Sequence, residues 1–260
     1  MLKLFPLAAA PPAPDSRSVP SAEAIYDDLE LPAAAAARPY IILNMISTLD
    51  GKITLDGARV NEIGSSVDHR LMQKLRIPVD AVMRGAGTVR SHGKYPYVPP
   101  EDAAARKSRG LPEQPQAVIV SGSCNLPLDA PVFQAAPHRP LIITQADAPP
   151  EKVKAARSAA HIIAAGHGAV DLALAVKILR EKHNIRSILL EGGPSLNYAC
   201  LAAGLLDEIF WTLAPQVGGG RSDLTLVTGP QTLDPMPQAR LCSAFYHQTT
   251  GELFFRYRFG

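Results

Sequence analysis

Short apolar runs alternate with segments of helical periodicity through most of this 260-residue chain. Residues 40–47, YIILNMIS, are apolar and rich in β-branched side chains, and they are bounded by Pro39 and by a turn-forming TLDGK sequence, which predicts a buried strand. In residues 170–184 the apolar side chains recur three and four positions apart, which predicts an amphipathic helix. Strands that alternate with helices predict an α/β fold, with helices on both faces of a mixed, mostly parallel sheet.

The same patterns predict the remaining elements. Further strands are predicted at 79–89 (where the strand runs into glycines), 116–122, 140–145, 161–166, 186–193 and 207–215. Further helices are predicted at 65–77, 150–160 and 194–204. The tail, residues 240–259, predicts an antiparallel hairpin that turns at 249–251. Residues 91–115 are polar and rich in proline, which predicts a long loop.

The first 38 residues differ in composition from the rest. They are rich in alanine and proline and lack a sustained period, so residues 1–38 are interpreted as an extension that partly drapes over one domain at 39–260. Residues 22–31 could form one short helix within it. A lysine and a short apolar run at the start resemble a signal peptide, but four prolines interrupt them, and we favour a non-secreted protein.

Charge and cysteine content limit the possible partners. The net charge is only +2 without any block of like charge, so no nucleic-acid or membrane partner is expected. Cys124, Cys200 and Cys242 are widely spaced, which predicts neither a disulfide framework nor a metal site and favours the cytoplasm.

Two predicted strands end in glycines that lead into a helix. The sequences are GAGT at 85–88 and EGGPS at 191–195. Glycine lets a ligand approach the backbone, and a helix start offers free N–H groups to a phosphate. Pro194 suits the first turn of such a helix. Taken alone, either junction is more typical of a tight turn, and the chain has neither the dinucleotide-binding nor the P-loop motif.

A third cluster, STLDGKI at 47–53, directly follows the first predicted strand. By itself it is typical of a surface turn with Asp50 and Gly51 at the corner. The two glycine junctions, by contrast, lie at the carboxyl ends of predicted strands, where open α/β sheets bind ligands.

The order of the motifs over residues 40–260 resembles that in the reductase domain of the bifunctional riboflavin-biosynthesis deaminase/reductase and in the stand-alone pyrimidine reductases of that family. The motifs are, in order, SxLDGKI, GAGTV, LxEGGP, LLDEI, AP and GGG. The zinc-binding deaminase pattern is absent from the chain. The resemblance implies a dihydrofolate-reductase-like three-layer fold, a homodimer, and NADPH as the cofactor. It also implies a phosphorylated pyrimidine substrate whose ribosylamino group is reduced to ribitylamino.

The resemblance also implies roles for individual residues. The cofactor contacts expected are Ile46, Arg84, Gly85, Gly87, Thr88, Gly192, Gly193, Pro194, Ser195 and Leu196. The substrate contacts expected are Ser47, Lys52, Arg76, His92 and Glu191. Asp50 and Glu191 are the expected catalytic residues, with Glu191 orienting the substrate and the proton donor left open between these carboxylates and water.

Several of these residues have alternative interpretations. Arg84 is either a solvated edge residue or a contact to the cofactor 2′-phosphate, which suits a guanidinium. Phe210 and Trp211 are expected in the core or in a dimer contact rather than against a ligand.

Two segments depart from the family pattern. Val60 and Glu62 occupy the positions of a Ser-x-Trp motif, and Ser91-His92-Gly93-Lys94 replaces the usual Asp-Asp-Pro. These departures leave two alternatives: a reductase of the same fold acting on another heterocycle, such as a dihydropteridine or dihydrofolate, and a nucleotide-binding module without catalysis.

Overall fold

The structure is a computed structural model that describes residues 2–5 (as backbone), 24–34, 37–54, 63–220 and 224–260. The strands in these ranges are β1 Leu2–Phe5, β2 Tyr40–Ser47, β3 Ala81–Gly85, β4 Gln116–Val120, β5 Leu141–Thr144, β6 His161–Ala164, β7 Ser187–Leu190, β8 Glu208–Leu213, β9 Ala239–Tyr246 and β10 Leu253–Phe259. The helices are α1 Ser66–Leu75, α2 Ala86–His92, α3 Pro100–Ser108, α4 Pro131–Gln134, α5 Pro150–Ala159, α6 Leu172–Lys182 and α7 Pro194–Ala202.

All ten strands join one sheet in the order β1-β9-β10-β8-β2-β7-β3-β4-β5-β6. The seven strands from β8 to β6 run parallel, whereas β10 is antiparallel to β8 and β9, and β9 is antiparallel to β1. The predicted mixed, mostly parallel sheet with a C-terminal hairpin is therefore confirmed.

Side chains that alternate along each strand build a core on both faces of the sheet. Ile41 of β2 packs in a cluster with Leu179 of α6 and Leu196 of α7 on one face. Ile42 packs with Leu75 of α1 on the other face, and a further cluster around Ala156 of α5 covers β4 and β5. The result is the predicted arrangement of three layers.

Helix α1 is fixed at both ends by side chains. The Ser65 hydroxyl caps its first turn by accepting the N–H groups of Val67 and Asp68. At the other end the fully buried Arg106 of α3 donates to the carbonyl groups of Arg76, Ile77 and Val79. Arg76 caps the end of α1, and Ile77 and Val79 follow in the segment before β3, so Arg106 satisfies carbonyl groups both at the helix end and in that segment.

Several predictions about the connecting segments are wrong. Residues 91–115 are not one loop, since α2 extends to His92 and α3 occupies Pro100–Ser108. The short helix predicted over 22–31 is not formed in its described part, where Tyr26 has a left-handed φ of 69°. Ile25 and Leu29 from that turn are instead buried against α1 and the sheet. Strand β1 and helix α4 were not predicted.

Candidate active site

The two glycine junctions lie side by side, because β3 and β7 are neighbouring parallel strands. The Gly85 N–H donates to the Gly192 carbonyl at 3.0 Å, and the Gly193 N–H donates to the Thr88 hydroxyl at 3.2 Å. Helices α2 and α7 therefore begin next to each other at one edge of the sheet. We call Gly85–Thr88 and Gly192–Leu196 together the glycine cradle.

The glycines of the cradle differ in what surrounds them. Gly192 has a φ of 79°, and a side chain there would also contact the Met45 sulfur at 3.1 Å. Gly87 is exposed, and a Cβ atom at this position would meet no atom within 4 Å. A Cβ at Gly193 would meet only the Thr88 hydroxyl, at 3.5 Å. The space over the two helix starts is therefore open and lined by backbone.

A buried ion-pair triad lies at the same strand ends, on the sheet face that α1 and α2 cover and opposite α7. The register that pairs Val82 with Leu189 brings Arg84 beside Glu191, beneath the end of α1. Arg76 donates to Glu191 from Nε at 2.5 Å and from Nη2 at 2.9 Å, and Arg84 donates to the same carboxylate from Nε at 3.1 Å and from Nη2.

The charges within the triad stabilise one another. Burial alone would raise the pKa of Glu191, but the charges of Arg76 and Arg84 lower it to about 2, so the carboxylate is ionised at neutral pH. The remaining guanidinium nitrogens donate to backbone, with Arg76 bound to the Tyr97 carbonyl at 2.8 Å and Arg84 to the Lys94 carbonyl at 2.7 Å. Arg84 is therefore not the solvated edge residue considered above. Because its guanidinium already binds Glu191 and the Lys94 carbonyl, Arg84 is better suited to hold Glu191 in place than to contact a ligand phosphate.

Asp50 lies on the loop after β2 and contacts the loop after β8. Its carboxylate accepts the Thr48 hydroxyl at 2.6 Å and the N–H groups of Gly218 and Gly219 at 2.9 and 2.8 Å. These three hydrogen bonds hold the pKa of Asp50 well below its usual range. Neither expected catalytic carboxylate is therefore a reservoir of protons at neutral pH.

Two polar residues at this edge were missed by the sequence reasoning. Asn44 lies on the Ile42 face of β2, half-buried, and its side-chain amide has no hydrogen-bond partner within the described part of the chain. Asp68 lies in the first turn of α1, where burial raises its pKa to about 6 despite a hydrogen bond from Thr212. A polar residue within an apolar strand was a signal for Asn44, whereas Asp68 had the pattern of an ordinary helix-start acid.

The other expected contacts are distributed around these groups. Ser47 is buried, and its hydroxyl accepts the Trp211 indole N–H at 3.0 Å. Ile46 lies half-buried on the same side of β2 as Asn44. Lys52 follows on the loop, where its N–H donates to the Thr48 hydroxyl.

His92 ends α2, and burial of part of its ring together with the Arg84 charge lowers its pKa. Val60 and Glu62, where the sequence departs from the Ser-x-Trp motif, lie outside the described residues. Within the described residues there is no cluster of metal-ligating side chains, and no helix is long and apolar enough to cross a bilayer.

Residues 39–248 match the model of the RibD C-terminal domain. The chain belongs to this family. It is 37% identical over 217 residues to the 2,5-diamino-6-ribosylamino-4(3H)-pyrimidinone 5′-phosphate reductase of Methanothermobacter thermautotrophicus, which covers 83% of this chain and 95% of that protein. The protein of the same name from Archaeoglobus fulgidus is 31% identical over 199 residues, covering 75% of this chain and 89% of that protein.

Solved structures show the same fold. A pyrimidine reductase-like protein from Corynebacterium diphtheriae superposes with a TM-score of 0.75 at 23% identity, covering 85% of this chain and 92% of that one. Acinetobacter baumannii RibD gives a TM-score of 0.69 at 21% identity over 86% of this chain and 58% of that one. The predicted dihydrofolate-reductase-like fold is thereby confirmed, as is the predicted family of riboflavin-biosynthesis reductases. Reductases of this family use a nicotinamide cofactor.

Proposed function

We propose that this RibD-family chain uses NADPH to reduce the ribosylamino group of 2,5-diamino-6-ribosylamino-4(3H)-pyrimidinone 5′-phosphate to a ribitylamino group. The observation that carries the proposal is the position of ionised Glu191: it directly precedes Gly192 of the glycine cradle, and its side chain pairs with Arg76 and Arg84 on the sheet face opposite α7. A cofactor and a polar heterocycle can therefore be held from the same strand end. The names of the 37% and 31% identical relatives support this substrate.

The glycine cradle fits the pyrophosphate of a dinucleotide. The first turns of α2 and α7 border open space, where the helix dipoles favour an anion, and Gly87 leaves room for atoms that a side chain would displace. In this proposal Gly85, Gly87 and Thr88 contact the cofactor on the α2 side. The α7 side contributes Gly192, Gly193, Pro194, Ser195 and Leu196, and Ile46 borders the nicotinamide.

When bound, NADPH supplies a hydride to C1 of the sugar, which is present as the open-chain imine. The chain's own residues orient the substrate and handle the proton. Glu191 remains our proposed substrate-orienting residue, through its Oε1 atom, which accepts only the Arg76 Nε–H within the described residues. Asn44, whose amide has no partner among the described residues, is proposed to bind the same ring, and Ser47 contributes indirectly by fixing Trp211. The resemblance gave the substrate phosphate to Arg76, but both of its carboxylate-facing nitrogens bind Glu191, so we propose Lys52 and His92 as the contacts to the sugar phosphate.

The imine nitrogen must gain a proton as the carbon is reduced, and we assign this proton to Asp68. Its pKa of about 6 keeps a fraction protonated near neutral pH, whereas the pKa values of Asp50 and Glu191 are lowered. A Cβ placed on Gly64 would lie 3.2 Å from the Ile46 Cδ1 atom and collide with the Asp68 carboxylate, so the side chains of Ile46 and Asp68 lie close together beside Gly64.

We further propose a homodimer formed through an aromatic face of the hairpin strands. Trp211, Phe255 and Tyr257 form a row with ring centroids 5.4 and 6.1 Å apart. All three are half-buried and belong to none of the core clusters formed by the described residues. Phe210 and Phe254 on the opposite face are fully covered. A second copy would cover the aromatic row.

We place the enzyme in the cytoplasm, which suits its three free cysteines, two of them buried. The function is tested by following cofactor oxidation with the diamino pyrimidine phosphate, its deaminated form and dihydrofolate, each with NADPH and NADH. We expect turnover of the diamino compound with NADPH. Turnover of dihydrofolate alone would contradict the proposal and favour the other-heterocycle alternative, and binding of NADPH without any turnover would favour a module without catalysis.

A further inference from the structure

The Asp50 carboxylate accepts three hydrogen bonds. Its Oδ1 atom accepts the Thr48 hydroxyl and the Gly218 N–H, and its Oδ2 atom accepts the Gly219 N–H. Two successive backbone N–H groups thus converge on one anion, the arrangement by which glycine-containing turns bind carboxylates and phosphates. The contact is directional, because each carboxylate oxygen has its own amide.

The two loops joined in this way follow neighbouring parallel strands, β2 and β8. Other contacts extend the junction: the Ala214 N–H donates to the Ser47 carbonyl at 2.8 Å, and the Leu49 N–H donates to the Gln216 carbonyl at 2.7 Å. The next residues of the β8 loop are Gly218–Gly220, and the Asp50 side chain joins them to the β2 loop.

The glycine run has little internal preference for this conformation. Gly219 and Gly220 have φ values of 63° and 71°, and a Cβ on Gly219 would meet no atom within 4 Å. Glycine populates many backbone states, so holding these residues in one of them requires an external contact. Asp50 is such a contact.

We infer that Asp50 is a positioning residue: its carboxylate clamps the Gly218–Gly220 loop to the β2 loop, at the sheet edge that carries the glycine cradle, and so holds a wall of the proposed cofactor site without donating a proton. This inference rests on the proposed function for its kinetic consequences only. It reassigns the catalytic role that the family resemblance implied, because three of the roughly four acceptor positions of the carboxylate already face donors.

The test compares Asp50→Asn with Asp80→Asn. Asp80 is chemically matched, since its carboxylate accepts the N–H groups of Arg186 and Ser187 and the Ser187 hydroxyl, but it precedes β3 at the opposite end of the sheet. In Asp50→Asn one amide N–H₂ must face a backbone N–H. We expect the KM for NADPH to rise about tenfold, kcat at saturating NADPH to fall less than about threefold, and the pH profile of kcat to stay unchanged. Asp80→Asn should leave all three unchanged.

Amide hydrogen exchange gives a readout that does not need catalysis. In Asp50→Asn the Gly218 and Gly219 amides should exchange at least about tenfold faster than in the wild type, while they are unchanged in Asp80→Asn. A collapse of kcat with an altered pH profile would overturn the inference by making Asp50 the acid, and unchanged exchange at both glycines would overturn the clamp. If the wild type turned over no substrate, the proposed function would fail, and the exchange result would still decide the clamp.

Discussion

Arg84 and Glu191 lie beside each other at the ends of two neighbouring parallel strands, with Arg84 Nε 3.1 Å from Glu191 Oε2. Arg76 approaches the same carboxylate from the end of α1. One buried anion thus joins both strands to the helix and lies one residue before the glycine cradle. The site's rigidity and its charge therefore depend on the same three side chains.

Glu191→Gln should both destabilise the protein and stop turnover. The amide cannot balance two buried guanidinium groups, so we expect a loss of about 3 kcal/mol in the free energy of unfolding and a fall in kcat/KM of at least about a hundredfold. Urea denaturation and steady-state kinetics measure the two effects.

Glu208→Gln is the matched control for this change. Glu208 is fully buried and pairs with Arg256 and Arg258, but it begins β8 at the opposite end of the sheet. The Glu208→Gln variant should lose a similar amount of unfolding free energy, while the folded protein keeps a normal kcat/KM. Equal kinetic losses in both variants would show that the Glu191 effect is structural.

Turnover should depend on the protonation of Asp68. Because burial raises its pKa to about 6, the acid is present below that pH and is lost as the pH rises through it. The kcat of the wild type should therefore decline above about pH 6, and Asp68→Asn should be slow with no such decline. Asp129→Asn, which removes an exposed carboxylate, should keep the wild-type profile. A decline that persists in Asp68→Asn would assign the proton to another group.

Gly87→Val should block the cofactor without harming the fold. The new side chain enters space where a Cβ meets no atom, at a helix position where glycine is itself unfavourable. We expect the Kd for NADPH to rise at least about tenfold with an unchanged melting temperature, as followed by cofactor fluorescence and thermal unfolding. Ala173→Val, on the exposed side of α6, is the control. Unchanged binding in Gly87→Val would place the pyrophosphate elsewhere.

Phe255→Arg should yield a monomer. The new guanidinium would lie between Trp211 and Tyr257. If a second copy covers that face, the charge would be buried without a partner, which disfavours the dimer. Analytical ultracentrifugation should show a dimer for the wild type and a monomer of unchanged circular dichroism for the variant. A wild-type monomer, or a dimeric variant, would place the contact elsewhere.

Local sequence patterns predicted the elements whose inner faces are apolar. Strand β2 was found from a continuous apolar run and helix α6 from a regular hydrophobic period, whereas the glycine junctions were found from glycines at the ends of predicted strands. Helix α3 was missed for the opposite reason. Its buried residues include Asp102, which pairs with Arg70, and Arg106, which binds backbone carbonyls, so its inner face is polar. Pro100 and Glu101 in its first turn are typical of a helix start, but an analysis of hydrophobic periodicity does not include them.

Long-range contacts account for the other differences. Strand β1 pairs with β9, with Leu2 opposite Tyr246, and no local pattern in an alanine- and proline-rich segment indicates that partner. The triad likewise requires the register between β3 and β7, which brings residues 107 positions apart into contact. The sequence identified Arg84 and Glu191 as candidates but could not show that they bind each other.

The central claim is that this chain transfers hydride from NADPH to the sugar carbon of the pyrimidine substrate. The most direct measurement uses NADPH deuterated at either face of nicotinamide C4, with the diamino pyrimidine phosphate, and analyses the product by mass spectrometry and NMR. We predict that one of the two labelled cofactors gives a ribitylamino product with deuterium at the former anomeric carbon. A product without deuterium at that carbon from both cofactors, or label on the heterocycle instead, would contradict the claim.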